Sequence, residues 1–66
     1  MTDNEIRKLV QPREFVAAWF RELPNHKTYE ATYEHIEEAY EAYFGVRKYS
    51  CYNSFRNVKD RIYKSK

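Results

Sequence analysis

Apolar residues recur along this chain at steps of three and four, the spacing that lines one face of a helix, and they do not alternate with the period of two that marks a half-buried strand. Thr2 followed three residues later by Glu5 has the form of a capping box, and Ile6, Leu9 and Val10 give the segment behind it an apolar face. A first helix is expected over residues 3 to 10. Gln11 precedes Pro12, whose ring drives the residue before it out of the helical region while itself suiting the first turn of a new helix. The second helix is therefore expected from 12 to 23, with Phe15, Val16, Trp19, Phe20 and Leu23 on one stripe and Pro24 as its stop. It is the most hydrophobic element and the expected heart of the core.

Residues 25 to 28 form a loop with capping chemistry, after which Tyr29, Tyr33, Ile36, Tyr40 and Tyr43 repeat at helical steps. This third helix, expected over 29 to 44, also carries Glu30, Glu34, Glu37, Glu38 and Glu41 and no Lys or Arg. Like charges one turn apart repel, so such a helix needs cationic company. Gly45 stands where a left-handed C-cap belongs. Ser50 is the expected N-cap of a last helix over 51 to 64, whose apolar line is Cys51, Phe55, Val58 and Ile62. At 100° per residue, Asn53, Arg56, Asn57, Asp60 and Lys64 fall on its opposite side, with Tyr52, Lys59 and Tyr63 along one flank. Helices joined by short connections make the fold class all-α: a small bundle of three to four helices forming a single domain over residues 1–66.

Length and composition sharpen this picture in three ways. A chain of 66 residues has room for one small core. Its single cysteine excludes an intrachain disulfide, and Cys51 reads as a small buried thiol; a fold without staples points to a reducing, cytoplasmic setting. The first residues are polar and acidic, and the longest apolar run, residues 15 to 20, falls far short of the ~20 residues that span a membrane, so neither a leader nor a membrane span is expected. Seven tyrosines among twelve aromatic residues suit both the margin of a thin core and a binding surface.

Charge divides the chain. Residues 1–44 hold nine acids against five bases, whereas residues 45–66 hold seven bases against Asp60 alone. The net charge of +2 conceals a dipolar molecule.

The combination of a helix, a glycine turn and a basic helix resembles a helix-turn-helix DNA-binding unit over about residues 36 to 64. Tyr40, Phe44, Gly45 and Val46 look like the end of its first helix and its turn, and Phe55 and Val58 like the buried pair of a recognition helix. The resemblance implies a small transcription-regulatory protein, here with a longer loop before the basic helix. The residues themselves point the same way. Arg47, Lys48, Arg56, Lys59, Arg61, Lys64 and Lys66 offer phosphate neutralisation. Asn53, Arg56 and Asn57 are types that read base edges, and Tyr49 and Tyr52 add phosphate hydrogen bonds or stacking.

Duplex DNA is the expected partner, bound by the chain alone or as a homodimer. The alternative uses the other pole: a protein-binding inhibitor or adaptor that presents Glu30, Glu34, Glu37, Glu38 and Glu41 to a partner's basic groove. A competing structural reading has the basic segment answering the acidic helix within its own fold. Catalysis is not expected, since there is no glycine-rich phosphate loop and no nucleophile beside a base. Nor is a cofactor or metal: His26 falls in a loop and His35 on the third helix near Glu38, two histidines where zinc wants three or four convergent ligands.

Overall fold

The structure, a computed structural model, describes residues 2–64. Lys66, one of the expected phosphate contacts, lies outside them. Four α-helices run in the order α1 (Asp3–Lys8), α2 (Pro12–Glu22), α3 (Tyr29–Phe44) and α4 (Tyr52–Lys64), with a 3-10 turn at Leu23–Asn25. The described residues contain no strand, and the chain is a small all-α bundle.

Local chemistry sets most of the helix ends. The Thr2 hydroxyl accepts from the Glu5 amide at 3.3 Å, and Thr28 does the same for Ala31 at 3.0 Å, so each occupies an orphan donor of a first turn. Pro12 opens α2 in the first turn, where its missing N–H costs nothing. The far end of α2 closes one residue earlier than expected and tightens into the 3-10 turn that contains Pro24. Gly45 ends α3 at φ +83°, a left-handed conformation that glycine adopts without strain, and its amide reaches the Glu41 carbonyl at 2.8 Å.

The core consists of Leu9, Phe15, Val16, Ala18, Trp19, Tyr33, Ile36, Tyr40 and Phe55. Phe15 is its centre: its ring lies 5.3 to 6.3 Å from those of Tyr33, Tyr40, Tyr49 and Phe55, in tilted and edge-to-face arrangements that suit aromatic quadrupoles. Trp19 packs on Phe55 and donates its indole N–H to the Tyr29 carbonyl at 3.1 Å, which ties α2 to the start of α3. From α4, Phe55 alone is fully buried, so that helix rests on the bundle by one aromatic ring with Tyr52 and Ile62 half-covered beside it. Helix α1 buries none of its own residues. It is held by Leu9 just beyond its end, and by hydrogen bonds from Arg7 Nε to the Tyr43 hydroxyl (2.8 Å) and from Lys48 Nζ to the Val10 carbonyl (2.7 Å).

The sequence pattern overstated the apolar stripes at their ends. Val10, Phe20, Tyr29 and Tyr43 are exposed, because the core of so short a chain covers only the middle of each stripe. The largest departure is Glu37. Expected on an acidic outer face, it is fully buried. Its Oε1 accepts from the Lys48 amide (2.9 Å), and its Oε2 accepts from the Tyr49 amide (2.9 Å) and from the Tyr33 hydroxyl. On the helix Glu37 lies only about 40° around from Tyr33, an arc that the connection between α3 and α4 folds over. The carboxylate therefore clamps that connection onto α3.

Two predictions follow from this clamp. Glu37→Ala strands the Lys48 and Tyr49 amides at about 1–3 kcal/mol each where they stay dry, while the Tyr33 hydroxyl keeps the Tyr49 carbonyl at 3.3 Å; the loss is comparable to the ~3–5 kcal/mol that a core this size supplies and should abolish cooperative urea unfolding. Glu37→Gln, which keeps one acceptor oxygen, should retain the fold at a cost of about 1–3 kcal/mol. The second concerns alkaline pH. Burial, reinforced by the hydrogen bond to Glu37, holds the Tyr33 hydroxyl well above its ordinary value, and burial raises Tyr49 and Tyr52 in the same direction. Unfolded tyrosine ionises near pH ~10, so above that point the unfolded chain binds fewer protons than the folded one and stability falls. It should be at full strength below pH ~10 and decline as pH climbs beyond it, as read from urea midpoints.

Candidate nucleic-acid interface

The nine residues expected to meet nucleic acid divide into two groups. Five are engaged within the fold. Arg47 makes a two-pronged pair with Glu34, Nη1 to Oε1 at 3.2 Å and Nη2 to Oε2 at 3.1 Å. Lys48 lays its ammonium over the rings of Tyr40 and Tyr49 on its way to the Val10 carbonyl, and partial burial lowers its pKa. Tyr49 sets its ring edge-on to Phe15, and Tyr52 packs toward Tyr33 and Phe55. Lys59 covers the Trp19 ring at 5.0 Å and lies 3.6 Å from Asp60.

The other four, Asn53, Arg56, Asn57 and Lys64, are exposed on α4, as is Arg61. With 100° between successive residues, these five share an arc of about 140°. Helix α4 is about 20 Å long at 1.5 Å per residue, and its free face presents three cations and two amides along that length. Asp60 interrupts the arc and is the acid to which Arg56 turns, at 4.0 Å. At that distance and exposure the pair is weak and leaves the guanidinium accessible.

The competing reading, that the basic segment answers the acidic helix, holds for the connecting loop and not for α4. Among the described residues, the ion pair between the basic segment and α3 is that of Arg47 with Glu34, and both salt bridges that involve α4 stay within it. The expected acidic surface contracts as well. Glu37 is internal and Glu34 is paired, which leaves Glu30, Glu38 and Glu41 exposed.

The start of α4 also differs from expectation. The Phe55 amide bonds to the Cys51 carbonyl, so Cys51 takes the capping position and Ser50 stands one residue outside, its hydroxyl 3.2 Å from that of Ser54. That shift turns Cys51 off the apolar line. The thiol is exposed rather than buried, and hydrogen bonding by the Ser54 amide and hydroxyl lowers its pKa. His35 is exposed on α3 and meets Glu22 and His26.

No helix among the described residues is long and apolar enough to cross a membrane. No family model, curated protein or solved structure matches the chain.

The division between engaged and free cations can be measured. Lys48→Ala should destabilise the fold by about 1–2 kcal/mol through loss of its hydrogen bond and ring contacts, whereas Lys64→Ala should change stability by less than about 0.5 kcal/mol in the same urea titration.

Proposed function

We propose that the protein is a small DNA-binding protein of regulatory type that presents the outer face of α4 to duplex DNA. The observation that carries this reading is that, among the described residues, the ion pairs of α4 stay within that helix and none reaches the acidic α3. Among the described residues the ion pair from the basic segment to α3 comes from Arg47 in the loop, and Arg56, Arg61 and Lys64 remain on the surface with Asn53 and Asn57 between them. Exposed Arg and Lys neutralise phosphates and release counterions, while Asn and Arg side chains match the edges of adenine and guanine in the major groove. A helix of this length that packs on the bundle along one side and exposes Asn53, Arg56, Asn57, Arg61 and Lys64 on the other suits a groove about 12 Å wide. The resemblance to a helix-turn-helix unit belongs to this proposal. The connection between α3 and α4 is longer than the tight turn of such units, and the Glu37 clamp supplies the rigidity that a tight turn would otherwise give.

The test is a fluorescence-anisotropy titration of labelled duplex DNA at about 50 and 200 mM salt. Affinity should fall steeply with salt, with a log–log slope of about −0.9 for each phosphate neutralised. Arg56→Glu should weaken binding about tenfold or more with the helical circular dichroism unchanged, and Asp60→Asn should strengthen it. Glu30→Gln and Glu38→Gln together should leave it no weaker. Absence of duplex binding at the lower salt, or an Arg56→Glu variant that binds like the wild type, would overturn the proposal and return attention to the remaining acids of α3.

A further inference from the structure

Three side chains that are distant in sequence pattern and unused by the α4 surface converge where α2 hands over to α3. Glu22 is the last residue of α2, His26 follows the 3-10 turn, and His35 lies on α3. The two imidazole Nε2 atoms approach the same carboxylate oxygen, Glu22 Oε1, at 3.5 Å from His26 and 3.6 Å from His35. One potential ligand atom from each of the three residues lies within 4.8 Å of the others, and the imidazole rings are 4.7 Å apart, tilted by 41°. His26 Nε2 is shut off from solvent and has no hydrogen-bond partner. A buried ring nitrogen aimed at a carboxylate without a hydrogen bond to it is an unmet polar group, and such groups in a folded protein call for a partner.

From these contacts we infer a binding site for a divalent transition-metal ion of the zinc type, held by Glu22, His26 and His35. The spacing fits the chemistry. An ion about 2.0–2.1 Å from each of its ligands in tetrahedral geometry needs ligand atoms about 3.3–3.4 Å apart. The two edges to Glu22 exceed that by a few tenths of an ångström, and the edge between the histidines, within 4.8 Å, closes by rotation of the exposed His35 ring. Two imidazoles and one carboxylate are a donor set that suits zinc and its neighbours and not magnesium or calcium, which take oxygen ligands throughout. Three protein ligands leave the fourth position to water or to an exogenous donor.

The frame that carries the ligands is rigid. The Trp19 indole bond to the Tyr29 carbonyl fastens α2 to α3, and the His26 amide bonds to the Leu23 carbonyl across the 3-10 turn. Bound metal would staple the two central helices of the bundle, and because the unfolded chain lacks the site, binding would stabilise the fold by mass action. Neither histidine alone would hold a metal ion. It is the arrival of Glu22 between them that completes a set of three.

Isothermal titration of Zn²⁺ into the untagged full-length protein, with melting followed by circular dichroism, tests the site. The expected result is one ion per chain, a melting temperature that rises with Zn²⁺, and little or no response to Mg²⁺. Glu22→Gln, His26→Ala and His35→Ala should each lower Zn²⁺ affinity roughly a hundredfold or more while the metal-free spectrum stays helical, a larger loss than the ~10–100-fold typical of outer-shell changes. Cys51→Ser should bind like the wild type, and the imidazole proton resonances of both histidines should shift together on saturation. Absence of saturable Zn²⁺ binding overturns the inference. So does binding undiminished in His35→Ala, binding lost in Cys51→Ser, or one ion per two chains, which would put the ion between copies.

Discussion

The buried carboxylate of Glu37 is the constraint on which the second half of the molecule depends. An acid taken out of water costs several kcal/mol unless its oxygens are met, and here they are met by two consecutive main-chain amides and a tyrosine hydroxyl. A connection of seven residues between α3 and α4 has many possible paths across the surface. Two hydrogen bonds to adjacent amides select one of them, and with it the point at which α4 begins and the ring, Phe55, that α4 inserts among Phe15, Trp19 and Tyr33. The position of the α4 surface is thus set by a residue of α3.

This clamp also shows where sequence reasoning reaches its limit. The four helices, the caps at Thr2 and Thr28, the left-handed Gly45 and the core line Phe15, Val16, Trp19, Tyr33, Ile36, Tyr40 and Phe55 were legible because each rests on a local pattern. Glu37 was not. Its helical angle sets it nearer the buried stripe than Glu34 or Glu38, but what buries it is a loop eleven residues further on. Cys51 departs for a smaller reason: as the cap it stands outside the helix, where the helical period that lines up Phe55 and Ile62 no longer places its side chain. The exposed cations of α4 were read from the helical period, whereas the engagement of Lys48, Tyr49 and Lys59 depended on rings supplied by other elements. The convergence of Glu22, His26 and His35 escaped notice because its third member sits at the end of a different helix.

Charge in this protein is organised in two tiers. Within the bundle, acids and bases are matched at close range, Arg47 with Glu34 and the loop amides with Glu37. On the surface the two helices differ in sign, with Glu30, Glu38 and Glu41 on α3 and Arg56, Arg61 and Lys64 on α4, where Asp60 is the one acid among the described residues. Separated like charges repel within each helix, at a cost of a few tenths of a kcal/mol per pair, so local stability does not favour the arrangement. A field extending from the basic helix is what the separation supplies.

Helix α1 stands outside this economy of packing. It contributes no buried side chain of its own, and the contacts that fasten it, Arg7 to Tyr43 and Lys48 to Val10, cross some three dozen residues of sequence and lie in contact with solvent. Stability is therefore graded along the chain. The α2 and α3 amides should be protected to the depth of global unfolding, while detaching α1 needs only the breaking of two exposed hydrogen bonds and the withdrawal of Leu9 from the core. Hydrogen exchange would then resolve the molecule into a three-helix kernel and a first helix that opens on its own.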